Sequence, residues 1–252
     1  MKTLVVIPAR YGSTRFPGKV LATLRGKPIL QYPYEAAMAS KLVSEVLIAT
    51  DSEEVVKVAK SFGARAVMTS PEHPSGTDRV AEVAGPRDVD IVVNLQADEP
   101  LIRTEMIDSV IKLLLDDPEA EMGTLAKELS DSEEVFNPNV VKVVTDHRDY
   151  ALYFSRAPIP YYRDLYIYKG HLAFETTQAR ALKHIGIYSY RKETLLKLTS
   201  LPQSPPEVAE KLEQLRALYN GIKLKVALTE YDTIGVDTPE DLERLKEIFS
   251  NR

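Results

Sequence analysis

LVVIPARYGSTRFPGK, residues 4–19, reads as a buried strand that runs directly into a loop carrying Arg10, Arg15 and Lys19. Between the cations stand Gly12, Ser13, Thr14, Pro17 and Gly18, residues that turn a chain tightly and leave backbone N–H groups free. Three cations on such a loop, just past an apolar strand, suit a polyphosphate, whose ionised oxygens take charge-assisted hydrogen bonds from several sides. A Walker A loop does not fit. Five residues separate Gly12 from Gly18 where that motif has four, and Val20 stands where its metal-binding Ser or Thr belongs.

Downstream, EVLIATD (45–51), ARAVMTS (64–70) and DIVVNLQ (90–96) repeat the strand pattern of LVVIPA (4–9). Three of the four are almost continuously apolar, as in a sheet covered on both faces. Helix-like spacing fills roughly 28–40, 52–62 and 77–84, with Asp51 or Ser52 and Thr77 as candidate N-caps. Strand and helix alternating in this way predict right-handed βαβ units and a Rossmann-like α/β fold, with a mostly parallel central sheet flanked by helices. Ligands in such sheets bind beyond the carboxyl ends of the strands. The cationic loop, Ala49-Thr50-Asp51 and QADEP (96–100) all fall at such ends.

Beyond about residue 120 the pattern changes. VVKVVTD (140–146), YALYFSR (150–156) and HIGIYSY (184–190) read as strands separated by a Pro- and Tyr-rich segment, 157–170, and predict a smaller antiparallel extension used for dimer contact. Residues 206–220 read as one amphipathic helix, KLKVALTE as a strand and TPEDLERLKEIF as a final helix. That last helix opens on Thr238, Pro239 and Asp241, a cap, a first-turn proline and an acid at the third position.

At 252 residues the chain can bury a sizeable core and is long enough for one α/β domain or for a domain with an excursion; the reading adopted is a single domain, 1–252. A net charge of −5 argues against a general nucleic-acid binder and leaves the local cations for one small anionic ligand. With no cysteine there is no disulfide, thiolate metal site or Cys nucleophile. No stretch approaches a membrane span, and the apolar run before Pro8 and Arg10 is too short for a signal segment, so the expectation is a soluble, cytoplasmic protein.

Asp98 and Glu99 directly follow a buried strand. Acids before a proline often only solvate a turn, but a carboxylate at that strand end is also placed to hold Mg²⁺, a hard cation that takes oxygen ligands. Asp237, in GVDTPED, either precedes a helix cap or completes such a site. Ser75, Gly76, Thr77 and Arg79, in SGTDR, either read a base edge or start a helix. By pattern alone Arg156, His184, Glu213 and Gln214 carry no functional signal: a strand His is usually a satisfied core or edge residue, and the last two fall on a solvent face.

Taken in order, IPARYGSTRFPGK, IATD, HPSGTDR, NLQADEP, FNPNVVKVV, ALYFSRAPIP, HIGIY, EKLEQLR and GVDTPEDLE closely resemble the 3-deoxy-manno-octulosonate (KDO) cytidylyltransferase family of sugar nucleotidyltransferases. The resemblance spans nearly the whole chain; Ala97 departs from it, standing where the family usually has Gly. It implies a nucleotide-diphospho-sugar transferase type of fold and CMP transfer from CTP to KDO with release of pyrophosphate, dependent on Mg²⁺. Lys19, Arg10, Arg15 and Asp98 would be catalytic, the three cations holding the triphosphate, and Asp98 with Asp237 would hold the metal. Pro8, Ala9, Ser13 and Thr14 would join the cations at the nucleotide. Ala49, Thr50, Asp51, Ser75, Gly76, Thr77 and Arg79 would complete its site around cytosine and ribose. Gln96, Arg156, His184, Tyr188, Glu213 and Gln214 would contact the sugar acid, with Arg156 on its carboxylate.

The resemblance further implies a nucleotide-binding half, about 1–120, a sugar-binding and dimerisation half, about 121–252, and a homodimer serving lipopolysaccharide synthesis. Two rivals stand beside it: the same transfer to another acidic sugar such as a sialic acid, and a nucleotide-binding regulator without turnover. Retention of Lys19, Asp98 and Asp237 together argues against the regulator.

Overall fold

The structure, a computed structural model, describes residues 1–12, 15–163 and 181–250, with the side chain of Ser132 left aside. Ser13, Thr14 and much of the Tyr-rich 157–170 segment therefore lie outside the described residues.

The chain opens with β1 (Thr3–Pro8), a short 3-10 turn (Lys19–Leu21), the hairpin β2 (Thr23–Leu24) and β3 (Lys27–Pro28), and α1 (Gln31–Met38). Then come β4 (Glu45–Thr50), α2 (Glu53–Ser61), β5 (Ala66–Met68), α3 (Gly76–Ala84), β6 (Ile91–Asn94), α4 (Thr104–Asp116) and β7 (Met122–Glu128). The later part holds α5 (Ser132–Phe136), β8 (Lys142–Thr145), β9 (Ala151–Ser155), β10 (Leu182–Arg191), α6 (Lys192–Ser200), α7 (Pro205–Glu210), α8 (Gln214–Tyr219), β11 (Leu224–Leu228) and α9 (Pro239–Ser250).

The main sheet runs β11-β7-β10-β6-β1-β4-β5. β6, β1, β4 and β5 are mutually parallel, as are β7 and β11, and β10 runs antiparallel between β6 and β7. Alternate residues of β1 serve opposite faces: Val5 and Ile7 join the core beneath α2 and α4, whereas Leu4 and Val6 pack with Val80 and Val83 of α3 and Leu195 of α6. Both faces are apolar because both are covered, which is why the strands read as unbroken hydrophobic runs.

The antiparallel extension exists as β8 and β9, and β8 meets β10 at Leu182 and Lys183. HIGIYSY goes further than expected, since its strand continues into the middle of the main sheet and pairs Tyr188 with Asn94. Two other expectations are corrected. The cap of α3 is Ser75, not Thr77: Ser75 Oγ accepts from Asp78 N at 3.2 Å, which leaves the Thr77 hydroxyl free for other partners. The single helix over 206–220 is two, α7 and α8, broken at Lys211, whose φ of 55° is left-handed. A buried ion pair between Glu207 of α7 and Arg216 of α8, at 2.5 and 2.9 Å, spans the break.

A third apolar cluster joins the β2–β3 hairpin to α9 through Leu24, Ile29, Val236, Leu242 and Leu245. Asp241 and Thr238 cap α9 reciprocally, as their spacing predicted. Asp237 thus stands on a segment anchored from both sides, and Val236 N bonds to Asp98 O at 2.9 Å. Among the described residues no helix is long and apolar enough to cross a membrane.

Candidate active site

A cavity of about 310 Å³ opens beyond the carboxyl ends of β1 and β6. Ten of the residues singled out in the sequence meet there: Pro8, Arg10, Arg15, Lys19, Ser75, Gly76, Arg79, Gln96, Asp98 and Asp237. Gly18 makes the sharp return of the cationic loop, with φ of 70° and its N–H bonded to Tyr11 O at 3.0 Å. Gly76 lets α3 approach the end of β1, since a Cβ there would lie 3.3 Å from Pro8 Cγ. Ala9, Ala49 and Thr50 are buried beneath, Ala9 N bonding to Ala49 O. Buried Arg79 donates to Asp51 Oδ2 at 2.8 Å and to Thr69 Oγ1, so its planar guanidinium is held at one edge of the cavity.

Lys19, Asp98 and Asp237 come together from three distant parts of the chain. Lys19 Nζ lies 2.5 Å from Asp98 Oδ2 and 2.8 Å from Asp237 Oδ1, and Arg15 reaches Asp237 Oδ2 at 2.9 Å. Burial pulls the Lys19 ammonium toward its neutral form, but the two carboxylates outweigh it and hold its pKa above the ordinary lysine value. For Asp237 burial acts upward, and Lys19 and Arg15 prevail to keep the carboxyl below the usual range. Lys19 and Asp237 therefore stay charged at neutral pH.

Among the described residues no group of three or more His, Asp or Glu converges on a metal position. What is present is a pair of carboxylates, both within 2.8 Å of one nitrogen. Two hard oxygen donors fit Mg²⁺, which keeps waters and substrate phosphates as the rest of its shell. Ala97 is not among the residues with left-handed backbone, so its methyl group is accommodated beside Asp98 without strain. Neighbouring Glu99 has a buried Oε2 without a hydrogen-bond partner, and burial, reinforced by Asp98, pushes its carboxyl up to about 8.

A second cavity, about 180 Å³, lies beside the first and is lined by Thr77, Gln96, Tyr188, Glu213 and Gln214, with Asn94, Tyr190 and Met122 at its wall. The break between α7 and α8 is what brings Glu213 and Gln214 inward. Gln214 is only 5% exposed, contrary to the solvent face expected of an unbroken helix. Burial raises the Glu213 carboxyl, which faces the Thr77 and Ser75 hydroxyls.

A family model described as cytidylyltransferase matches residues 4–225. The chain belongs to the cytidylyltransferase family. It is 53% identical to the 3-deoxy-manno-octulosonate cytidylyltransferase of Thermodesulfovibrio yellowstonii, over 96% of each chain. It is 49% identical to the protein of the same name from Geotalea daltonii, over the full length of both. Among solved structures, a CMP:2-keto-3-deoxy-manno-octonic acid synthetase complexed with CTP superposes with a TM-score of 0.91 at 43% identity, covering 100% of this chain and 99% of that one.

In this cytidylyltransferase two of the described residues selected from the sequence, His184 and Arg156, line neither cavity. His184 Nε2 stands 3.0 Å from Thr124 Oγ1, its ring against Phe154 and Tyr188 at 5.0 and 5.4 Å, and burial drives its pKa down to about 3. It touches the second cavity through Tyr188. Arg156, just past β9, donates to Glu210 O at 2.8 Å and Pro138 O at 2.9 Å and lines neither cavity. Residues missed by sequence reasoning are His73, which lines the first cavity next to Pro74, and Asn94 and Tyr190 at the second. Asn94 did leave a trace, a lone amide closing the apolar run IVVN.

Proposed function

We propose that this enzyme transfers CMP from CTP to 3-deoxy-D-manno-octulosonate, releasing pyrophosphate and activating the sugar acid for lipopolysaccharide synthesis. What carries the reading is the full-length likeness to relatives named for that transfer, coupled to the meeting of Lys19, Asp98 and Asp237 at the mouth of the sheet. CTP takes the first cavity, its triphosphate against Arg10, Arg15 and Lys19. Arg79, Asp51, Ala49 and Ser75 surround the cytosine and ribose. The sugar acid takes the second cavity, against Gln96, Tyr188, Glu213 and Gln214, with His184 behind Tyr188; Arg156 lines neither cavity and would have to leave the Glu210 and Pro138 carbonyls to reach the sugar's carboxylate. Ser13 and Thr14, outside the described residues, are assigned to the nucleotide in this reading. About 1–120 thus supplies most of the nucleotide site, and about 121–252 most of the acceptor site, the dimer contact and Asp237.

The anomeric 2-hydroxyl oxygen of the acceptor bonds to the α-phosphorus as the bond to the β-phosphate oxygen breaks, and the hydroxyl proton leaves to solvent. Mg²⁺ on Asp98 and Asp237 would orient the α-phosphate and acidify that hydroxyl. The chain's own part is positioning and charge: Lys19, kept cationic by the carboxylates, and Arg10 and Arg15 neutralise the charge growing on pyrophosphate. No covalent intermediate is needed. We further place the enzyme in the cytoplasm as a homodimer, a reading supported by the exposed Leu152, Tyr153 and Tyr161 along and beyond β9.

The test is pyrophosphate release across CTP, UTP, ATP and GTP, each with KDO and with a sialic acid, in Mg²⁺. Release with CTP and KDO alone is expected. Release with the sialic acid moves the acceptor assignment, and no release with any pair overturns the enzyme reading.

A further inference from the structure

The two cavities share a wall. Gly76 and Gln96 line both of them. Directly beside these residues Asn94 Nδ2 donates to Thr77 Oγ1 at 3.3 Å, and Gln96 Nε2 donates to Asn94 Oδ1 at 3.4 Å. Tyr190 and Glu213 line the second cavity together with Thr77 and Asn94. Gln96, Asn94 and Thr77 therefore form one hydrogen-bonded run along the partition, from the carboxyl end of β6 to the N-terminus of α3, and Glu213 shares the second cavity with them.

Asn94 stands at the middle of that chain. Only 2% exposed, it closes a strand whose other residues are Ile91, Val92 and Val93, where an apolar side chain would continue the core. A buried amide is unfavourable unless both its groups are paired. A side-chain amide is also a group that can accept from one neighbour while donating to another, as the Gln96 amide and the Thr77 hydroxyl here require. Its partner strand sets Tyr188 of the acceptor cavity directly opposite.

We propose that Asn94 is a positioning residue for the acceptor: through Gln96 on one side, and through Thr77 to Glu213 on the other, it holds the acceptor-binding side chains against the nucleotide cavity. The inference rests on the reading that the sugar acid occupies the second cavity. It assigns Asn94 no contact with the reacting atoms; its effect passes through Gln96 and Glu213.

Asn94→Leu keeps the branched shape and the number of side-chain heavy atoms and removes both amide contacts. The expected result is a KM for KDO raised about tenfold or more, with the KM for CTP within about twofold of the unmodified enzyme. A second pair of variants serves if Asn94→Leu does not fold: Thr77→Val should raise the KM for KDO, and Thr77→Ser, which retains the hydroxyl, should restore it. An unchanged KM for KDO in folded Asn94→Leu or Thr77→Val overturns the proposal. So does a parallel rise in both KM values, the mark of a general loss of packing. Turnover of CTP and KDO by the unmodified protein separates the two readings. Its absence overturns the function itself, whereas turnover with an unaltered acceptor KM in the variants overturns only the role of Asn94.

Discussion

Lys19 is the residue on which the proposed chemistry turns. The sequence placed it on a phosphate loop, and its contacts with Asp98 and Asp237 tie that loop to the candidate metal ligands. Lys19→Ala should lower kcat by about 10² or more, as for the loss of a charge contact made in the transition state; steady-state turnover near normal would remove it from the mechanism. His184 gives a pH signature. Folded, its pKa is depressed to about 3, so the native imidazole stays neutral while the unfolded chain takes up a proton below its ordinary value. Its stabilising contribution is complete above about pH 6.5 and is lost as pH falls from there toward 3. Unfolding free energies from urea titrations at pH 7.5 and 5.0 should differ by on the order of 1 kcal/mol more in the unmodified protein than in His184→Gln, a modest figure because part of the residue's surface remains in water. Equal differences would contradict a neutral, enclosed His184. That Arg10, Arg15 and Asp98 line one cavity was foreshadowed by residue type and by their place after strands, whereas Asp237 was joined to Asp98 only through the resemblance. The inward placement of Gln214 and Asn94 was not legible, because which way a side chain turns at a helix break or a strand end is decided by tertiary packing.

Among the elements, the parallel strands and their helices were legible because apolar runs and helical spacing leave strong periodic marks. The break between α7 and α8 left none: residues 206–220 keep an amphipathic pattern, and the interruption comes from Lys211 in left-handed backbone and the Glu207–Arg216 pair. β7 and α4, about which the sequence reading was silent, flank the change from alternating to antiparallel strands. Since the ion pair fastens the break that turns Glu213 and Gln214 inward, Glu207→Ala leaves a buried guanidinium without its partner. It should cost about 3–5 kcal/mol in chemical unfolding and raise the KM for KDO; a loss below about 1 kcal/mol would show that the pair behaves as a surface contact.

For the molecule as a whole, the topology explains why a site readable in pieces could not be assembled from the sequence. β10 threads between β6 and β7, so Tyr188 from the later part stands beside Asn94 from the earlier one, and the segment before α9 carries Asp237 back to Asp98. Nothing local in the sequence encodes these meetings. Light scattering should return about twice the chain mass of 28.2 kDa; a single-chain mass would contradict the dimer. The central claim, that the two adjoining cavities hold a cytidine triphosphate and a sugar acid for one transfer, is tested most directly by the product. With CTP, KDO and Mg²⁺, ³¹P NMR and mass spectrometry should find a CMP-sugar with a single phosphodiester phosphorus and one equivalent of pyrophosphate. A diphosphate-linked sugar, free CMP without sugar adduct, or unconverted CTP would contradict it.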